Sequence, residues 1–311
     1  MKRYAIGADI GGSHISCALV DMDNGRIIEA SRAERKIDNH APSAEILDGW
    51  SEALHQTVAN SGPYSLAGIG FAMPSPFAYD KGIALFERVA KFESLYGVNV
   101  AMELASRLNL PAEIPLRFMN DASAFAVGEA WLGEARGTLK SISVTLGTGF
   151  GSAFVSDGVP VVNGKGVPEM GCVWHLPFME GIADDYFSTR WFISRWATIS
   201  GEKVSGVKEV ADLAVAGQTE AKELFIEFGS NLGRFLRLWL KNFEAEALVI
   251  GGNVMGAWQL FGQAFEAELR ALNVNTRVVA SVLNQNAAII GSARMLDPVY
   301  WTYIEPVLSK M

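Results

Sequence analysis

Two short stretches of this chain carry the residue types that a phosphate ligand needs. One is Tyr4-Ala5-Ile6-Gly7-Ala8-Asp9-Ile10-Gly11-Gly12-Ser13-His14; the other is Ser141-Ile142-Ser143-Val144-Thr145-Leu146-Gly147-Thr148-Gly149-Phe150-Gly151. Each is an apolar strand running into a tight turn of glycine and hydroxyl residues. A second apolar strand follows each turn, Ile15 to Val20 and Ser152 to Val155. Glycine permits a positive φ and a close backbone approach, so consecutive N–H groups can face one concavity that suits phosphate oxygens. Either stretch alone also reads as a plain hairpin turn. The pair implies a triphosphate gripped from both sides across a cleft, the equipment of a nucleotide-dependent enzyme and most simply a kinase.

The elements that must position these turns follow from periodicity. After the first hairpin (3–20) come a turn at Asp21–Gly25, a strand over 26–36 and a helix over 44–59. Ile46, Leu47, Trp50, Leu54 and Val58 form that helix's apolar stripe, with Ser43 as its cap. Strands are expected at 66–72 and 116–119, a helix at 100–108 and an Ala-rich helix at 122–132. The second half repeats the order. A hairpin is followed by a loop region (158–181), helices at 186–198, 208–216 and 220–242, a strand at 247–250, a helix at 258–269 and a strand at 276–281. A last helix starts near Asn286. Strand–helix alternation makes this an α/β protein, and the similar hairpins imply two related halves. The expected domains are 1–119, with 287–311 packing back on it, and 120–286.

Bulk properties narrow the function class. The 311 residues exceed a comfortable single core, and half are hydrophobic, so a large buried interior is expected. A net charge of −8 without any Lys/Arg run argues against a nucleic-acid surface. Two cysteines, Cys17 and Cys172, build neither a disulfide framework nor a Cys-rich zinc site. The sequence opens directly into its first strand, and no apolar run approaches the roughly 20 residues of a membrane span. A cytoplasmic protein without membrane partners is expected.

The motifs together resemble a known superfamily. Asp9-Ile10-Gly11-Gly12-Ser13 is similar to the phosphate-1 motif of the actin/hexokinase/Hsp70-like ATPases. Leu146-Gly147-Thr148-Gly149-Phe150-Gly151 is similar to their phosphate-2 motif, and Val249-Ile250-Gly251-Gly252-Asn253-Val254 to their adenosine motif. Asn120-Asp121-Ala122-Ser123-Ala124-Phe125-Ala126-Val127-Gly128-Glu129-Ala130-Trp131-Leu132-Gly133-Glu134-Ala135-Arg136-Gly137 resembles the ROK sugar kinases, as does Ala287-Ala288-Ile289-Ile290-Gly291-Ser292-Ala293. The resemblance covers nearly the whole chain. It implies a two-domain actin-like ATPase (ribonuclease H-like) fold with an interdomain cleft, and ATP-dependent phosphorylation of a hexose or amino sugar. Glucose at its 6-hydroxyl is the family default, with N-acetylmannosamine, N-acetylglucosamine, fructose and allose open. Family members often pair as homodimers.

Roles for single residues follow from chemistry and resemblance together. Asp121, at a strand's carboxyl end, is the expected base for the sugar hydroxyl, with Asn120 beside it for a neighbouring hydroxyl. The bland alternative is that Asn-Asp caps the helix that follows. Asp9 suits Mg²⁺, directly or through water, or else an Asx-type turn. Gly11, Gly12, Ser13 and His14 would hold one side of the phosphates and Gly147, Thr148 and Gly149 the other; Gly251, Gly252 and Asn253 would face the adenosine. Glu169 matches the family's sugar-binding glutamate, or is a solvated loop carboxylate. Asp184 occupies the place of a second sugar-contacting glutamate, one carbon shorter. His175 is displaced from the family's position and can instead pack on Trp174. Ser75, between two prolines, either meets the sugar or belongs to a rigid loop.

Two departures matter. Glu169-Met170-Gly171 is followed by Cys172 with no Cys-rich element, so no structural zinc is expected. Phe92-Glu93-Ser94-Leu95-Tyr96-Gly97 stands where many family glucokinases carry an Asn-Leu stretch. A DNA-binding repressor is disfavoured because the phosphate-1 strand begins within the first residues. A catalytically silent sugar sensor remains as the rival to a kinase.

Overall fold

The computed structural model describes residues 3–59 and 65–311; Met1 and Lys2, the opening of the expected leaderless start, lie outside the described residues. Its contacts divide into two units, 1–136 with 158–160 and 285–311, and 137–157 with 161–284.

Unit 1 begins with β1 (Arg3–Ile10), β2 (His14–Asp21) and β3 (Ile27–Lys36), an antiparallel meander. Helix α1 (Ser43–Ala59) buries Ile46, Leu47, Trp50 and Leu54, the expected stripe, whereas Val58 in its last turn is exposed. Then come β4 (Ser65–Met73), the short pair β5 (Phe77–Ala78) and β6 (Ile83–Ala84), α2 (Val100–Arg107), β7 (Leu116–Asn120) and α3 (Asp121–Leu132). The sheet order is β3-β2-β1-β4-β7, with β1, β4 and β7 parallel.

Unit 2 repeats the plan. It contains β8 (Lys140–Leu146), β9 (Phe150–Ser156), β10 (Val159–Val161) as a sheet strand whose residues 159–160 are grouped with unit 1, the short pair β11 (Pro177–Phe178) and β12 (Gly181–Ile182), then α4 (Ala183–Tyr186) and α5 (Thr189–Ser200). After these come α6 (Val207–Val215), α7 (Thr219–Phe243), β13 (Ala247–Gly251), α8 (Trp258–Ala271) and β14 (Arg277–Ala280). Its sheet order, β10-β9-β8-β13-β14, is the same topology as the first. Helix α7 lays Leu224, Phe228, Leu232, Phe235 and Leu236 into the core, with Trp239 half-buried at its edge. Phe187, Phe192, Phe225, Phe228 and Phe261 are fully buried in the same cluster, each contributing about 1.5–3 kcal/mol of burial. The expected loop over 158–181 holds β10 and a 3-10 turn at Glu169–Gly171.

The chain closes with α9 (Asn286–Arg294) and α10 (Pro298–Leu308), both in unit 1. Helix α9 lies directly on glycines of three elements. A Cβ on Gly7 would sit 2.0 Å from Ile289 O, on Gly70 2.0 Å from Ser292 O, and on Gly128 2.1 Å from Ala287 O. Gly128 belongs to α3, so this backbone-to-backbone packing binds α3 to α9. The sequence boundary at 119/120 falls before the last residue of β7; the contacts group β7 and α3 alike with unit 1.

Candidate functional site

In unit 1 the three parallel strands end along one edge, where open α/β sheets present ligand-binding groups. The register places Asp9 beside Ala72 and Met73 beside Asn120, so Asp9, the Pro74-Ser75-Pro76 loop and Asn120-Asp121 emerge side by side. Ser75 in that loop is exposed and Asn120 is half-buried.

Asn120 and Asp121 divide the two roles the sequence left open. Asn120 Oδ1 accepts from Ser123 N at 3.1 Å and so caps α3. Its Nδ2 donates to Asp121 Oδ1 at 3.0 Å and to the hydroxyl of buried Tyr79 at 3.4 Å, while Tyr79 donates to Met73 O at 3.2 Å. Asp121 Oδ1 also accepts from Ala122 N at 2.8 Å. One oxygen is thereby fixed, and Oδ2 has no hydrogen bond or ion pair among the described residues. Burial raises the Asp121 carboxyl above the ordinary range, opposed by the Lys91 ammonium and by these hydrogen bonds. Asp9 is pushed up to about 7, by burial first and the Asp121 carboxylate second.

The first turn joins β1 to β2. Gly11 N donates to His14 O at 2.9 Å, Asn39 Nδ2 donates to Gly12 O, and Ile37 N donates to Ser13 O at 2.9 Å. The carbonyls of Gly12 and Ser13 are thus tied back, while the N–H groups of these two residues have no partner among the described residues. Ser13 and His14 are exposed, and a Cβ on Gly11 would meet only the His14 ring.

The second turn, between β8 and β9, is tied still more completely. Gly147 O accepts from Thr189 N at 2.8 Å, Thr148 O from Arg190 Nη1 at 2.6 Å, and Gly149 O from Gly147 N at 3.1 Å. All three carbonyls are engaged, and the N–H groups of Thr148 and Gly149 have no partner among the described residues. Neither turn uses a positive φ at its glycines, contrary to the sequence expectation. Gly12 and Gly147 have nothing within 4 Å of the position a Cβ would take, and at Gly149 it would lie 3.1 Å from Asp184 Oδ1.

Asp184 stands differently from its expected sugar contact. Its Oδ1 accepts from Phe150 N at 2.7 Å and its Oδ2 pairs with Arg190, so both oxygens serve the second turn. Glu169 is exposed in its 3-10 turn and makes no hydrogen bond or ion pair among the described residues. His175 packs edge-on against Trp174 at 5.3 Å between ring centroids, with Nδ1 3.8 Å from Cys172 Sγ. Gly251 ends β13, which runs parallel to β8 with Gly251 opposite Thr145, and Gly252 and Asn253 follow it. Gly252 does take a positive φ of 89°, and a Cβ there would lie 2.3 Å from Leu146 O, so the third motif packs against the second turn.

Sequence reasoning missed Asn39, Tyr79, Lys91 and Arg190. The β2–β3 register, with His14 opposite Lys36, was the one available signal: it carries residues 37–39 back to the first turn. Nothing local marks Arg190, an exposed arginine on α5 that reaches Thr148 across 42 positions.

The residues fit the groups the resemblance implies. Two pairs of free N–H groups suit phosphate oxygens. Asp9 is a half-buried carboxylate with no hydrogen bond or ion pair among the described residues, the situation a divalent cation relieves. Among the described residues no cluster of three or more His, Cys, Asp or Glu is placed to hold a metal. That donor set suits Mg²⁺, which takes one or two carboxylates and keeps several waters. No helix among the described residues is long and apolar enough to cross a membrane.

Comparison with known proteins agrees with this geometry. A glucokinase of Thermotoga maritima is 27% identical over 322 residues, covering 95% of this chain and 98% of the relative. The ROK hexokinase of Thermus thermophilus superposes with a TM-score of 0.77 at 21% identity, over 94% of this chain and 97% of its own. A ROK family glucokinase of Streptomyces griseus, in complex with glucose and AMPPNP, gives 0.74 at 21%, over 94% and 98%. The likeness to these structures shows the fold, that of the actin-like ATPases. The ROK family model matches residues 5–298, and the chain belongs to that family.

Proposed function

We propose that this protein is an ATP-dependent sugar kinase that phosphorylates a hexose, with glucose at its 6-hydroxyl as the specific substrate. The observation that carries the reading is Asp121: one oxygen held by Ala122 N and Asn120 Nδ2, the other free, at the carboxyl edge of a parallel sheet. A base held this way can be aimed, and burial that raises its pKa makes the carboxylate a better proton acceptor. The name of the Thermotoga relative and the glucose in the Streptomyces complex support the choice of sugar.

In this reading Asp121 Oδ2 takes the proton of the sugar hydroxyl as its oxygen bonds to the γ-phosphorus. The bond from that phosphorus to the β–γ bridging oxygen breaks, and ADP leaves. Such a transfer depends on positioning and charge stabilisation more than on covalent chemistry. Unit 1 contributes the base, the free N–H groups of Gly12 and Ser13, and Asp9. Unit 2 contributes the free N–H groups of Thr148 and Gly149, the glycine-rich end of β13 for adenosine, and the unpaired carboxylate of Glu169 for sugar hydroxyls. Mg²⁺ at Asp9 would neutralise phosphate charge. Asn120, fixed between Ser123 N and Tyr79, would hold Asp121 in place rather than read the sugar itself.

A panel of hexoses and amino sugars, assayed by coupled ADP release, tests the proposal. Turnover with glucose, lost in Asp121→Asn while AMPPNP still binds, is the expected result. A wild-type protein that binds glucose and AMPPNP but releases no ADP with any sugar overturns it.

A further inference from the structure

We infer that Arg190 and Asp184 form a clamp that sets the second phosphate turn, and that Asp184 serves the nucleotide rather than the sugar; the inference rests on the kinase reading above. The Arg190 guanidinium spans two acceptors at once, Thr148 O through Nη1 and Asp184 Oδ2 through Nη2. A planar fork suits this bridge in a way a lysine ammonium does not. Asp184 in turn takes Phe150 N, the amide immediately after the turn. With Thr189 N on Gly147 O, the group fastens the turn at both ends and pulls its carbonyls to one side. The peptide planes then leave the N–H groups of Thr148 and Gly149 on the opposite side, where phosphate oxygens need them.

The clamp also explains a glycine. A Cβ on Gly149 would come within 3.1 Å of Asp184 Oδ1, so a side chain there would crowd the carboxylate that holds Phe150 N. Gly149 is small because Asp184 stands beside it, and Asp184 has no oxygen left without a partner for a sugar hydroxyl. The arrangement lies wholly within unit 2. Arg190 is a positioning residue: its side chain is 56% exposed, so its removal leaves the core untouched.

The test measures AMPPNP affinity by calorimetry and the separate KM values for ATP and glucose, in wild type, Arg190→Met and Asp184→Asn. Arg190→Met is expected to weaken AMPPNP at least about tenfold, through loss of a charge-assisted bridge. KM for ATP should rise in step, with KM for glucose within twofold of wild type. Asp184→Asn keeps an oxygen for Phe150 N and loses the ion pair, so it should move the same quantities by less. A thermal midpoint within a few degrees of wild type shows that both variants fold. Unchanged AMPPNP affinity in folded Arg190→Met overturns the clamp, and so does a rise in glucose KM without one in ATP KM for Asp184→Asn. A wild type that binds AMPPNP but turns over no sugar sinks the kinase reading instead. The clamp then stands or falls on AMPPNP affinity.

Discussion

The two hairpin turns look interchangeable in sequence, yet they are held by different chemistry. In the first, an exposed asparagine amide and a backbone N–H hold two carbonyls. In the second, a guanidinium–carboxylate pair and the first N–H of α5 hold the turn, and its own Gly147 N closes it. The first turn sits beside the carboxylates Asp9 and Asp121, neither of which is ion-paired among the described residues; the carboxylate beside the second, Asp184, is paired with Arg190. The same strand order thus carries two different sets of groups. Under the proposed function, unit 1 holds the residues assigned to proton transfer and cation binding, and unit 2 holds the turn with more of its carbonyls engaged.

The sharpest way to break that contrast is Asp121→Asn. If unit 1 carries the chemistry, kcat falls about 10²–10⁴-fold, the usual worth of a general base, with AMPPNP affinity unchanged. Coupled ADP release and calorimetry check it, and an equal loss of nucleotide affinity would erase the division of labour.

Next in size is a pair of glycine substitutions. Gly252→Ala must hold φ at 89° and place a Cβ 2.3 Å from Leu146 O. A cost of about 1–3 kcal/mol for backbone strain alone lowers Tm by about 2–4 °C per kcal/mol, with the clash adding more. Gly12→Ala meets nothing within 4 Å and should leave Tm within experimental error while reducing ATP affinity. Differential scanning calorimetry separates the two; equal destabilisation would contradict the packing described for Gly252.

Asp9 gives a pH signature. Its folded pKa of about 7 lies above the ordinary 3.8, so folding favours the neutral carboxyl. Without divalent cation, stability present below pH 3.8 is lost as pH rises through about 7. Asp9→Asn has no charge to bury, so its Tm should exceed that of wild type increasingly across that window. Mg²⁺ should narrow the gap by stabilising wild type alone. A Tm difference constant from pH 4 to pH 8 would count against a strained, half-buried Asp9. The smallest effect belongs to Asn39→Ala, which removes one exposed hydrogen bond. KM for ATP should rise no more than about fivefold, corresponding to about 1 kcal/mol, and less than in Arg190→Met.

Much of this was legible in the sequence because it is local. Strands β1, β2, β8 and β9 announce themselves by apolar runs ending in glycine, and α7 by its stripe. Asp121 could be placed because a strand–helix junction fixes it within a few residues. The two-residue pairs β5–β6 and β11–β12 were not read, since elements so short have no periodicity to detect; the closing segment was read as one helix over about 287–311, whereas the Asp297 cap and Pro298 start a separate helix α10. The glycine turns were read as positive-φ positions, and Gly11, Gly12, Gly147 and Gly149 take none. Residue type reports a missing Cβ, not which of its two consequences the fold uses. Arg190 and Asn39 were invisible because their partners lie 42 and 27 positions away, and only tertiary structure supplies that distance. Asp184 was legible as a conspicuous carboxylate, but its partners were not.

The seating of α9 on Gly7, Gly70 and Gly128 has a consequence for synthesis on the ribosome. Residues 286–294 emerge late, yet they cover the glycine-lined faces of β1 and β4, which emerge among the earliest. Until then the first sheet waits with one face uncovered, whereas the second sheet and its helices are complete by residue 284. Vectorial folding of this chain would run backwards, the later-encoded half maturing before the earlier one.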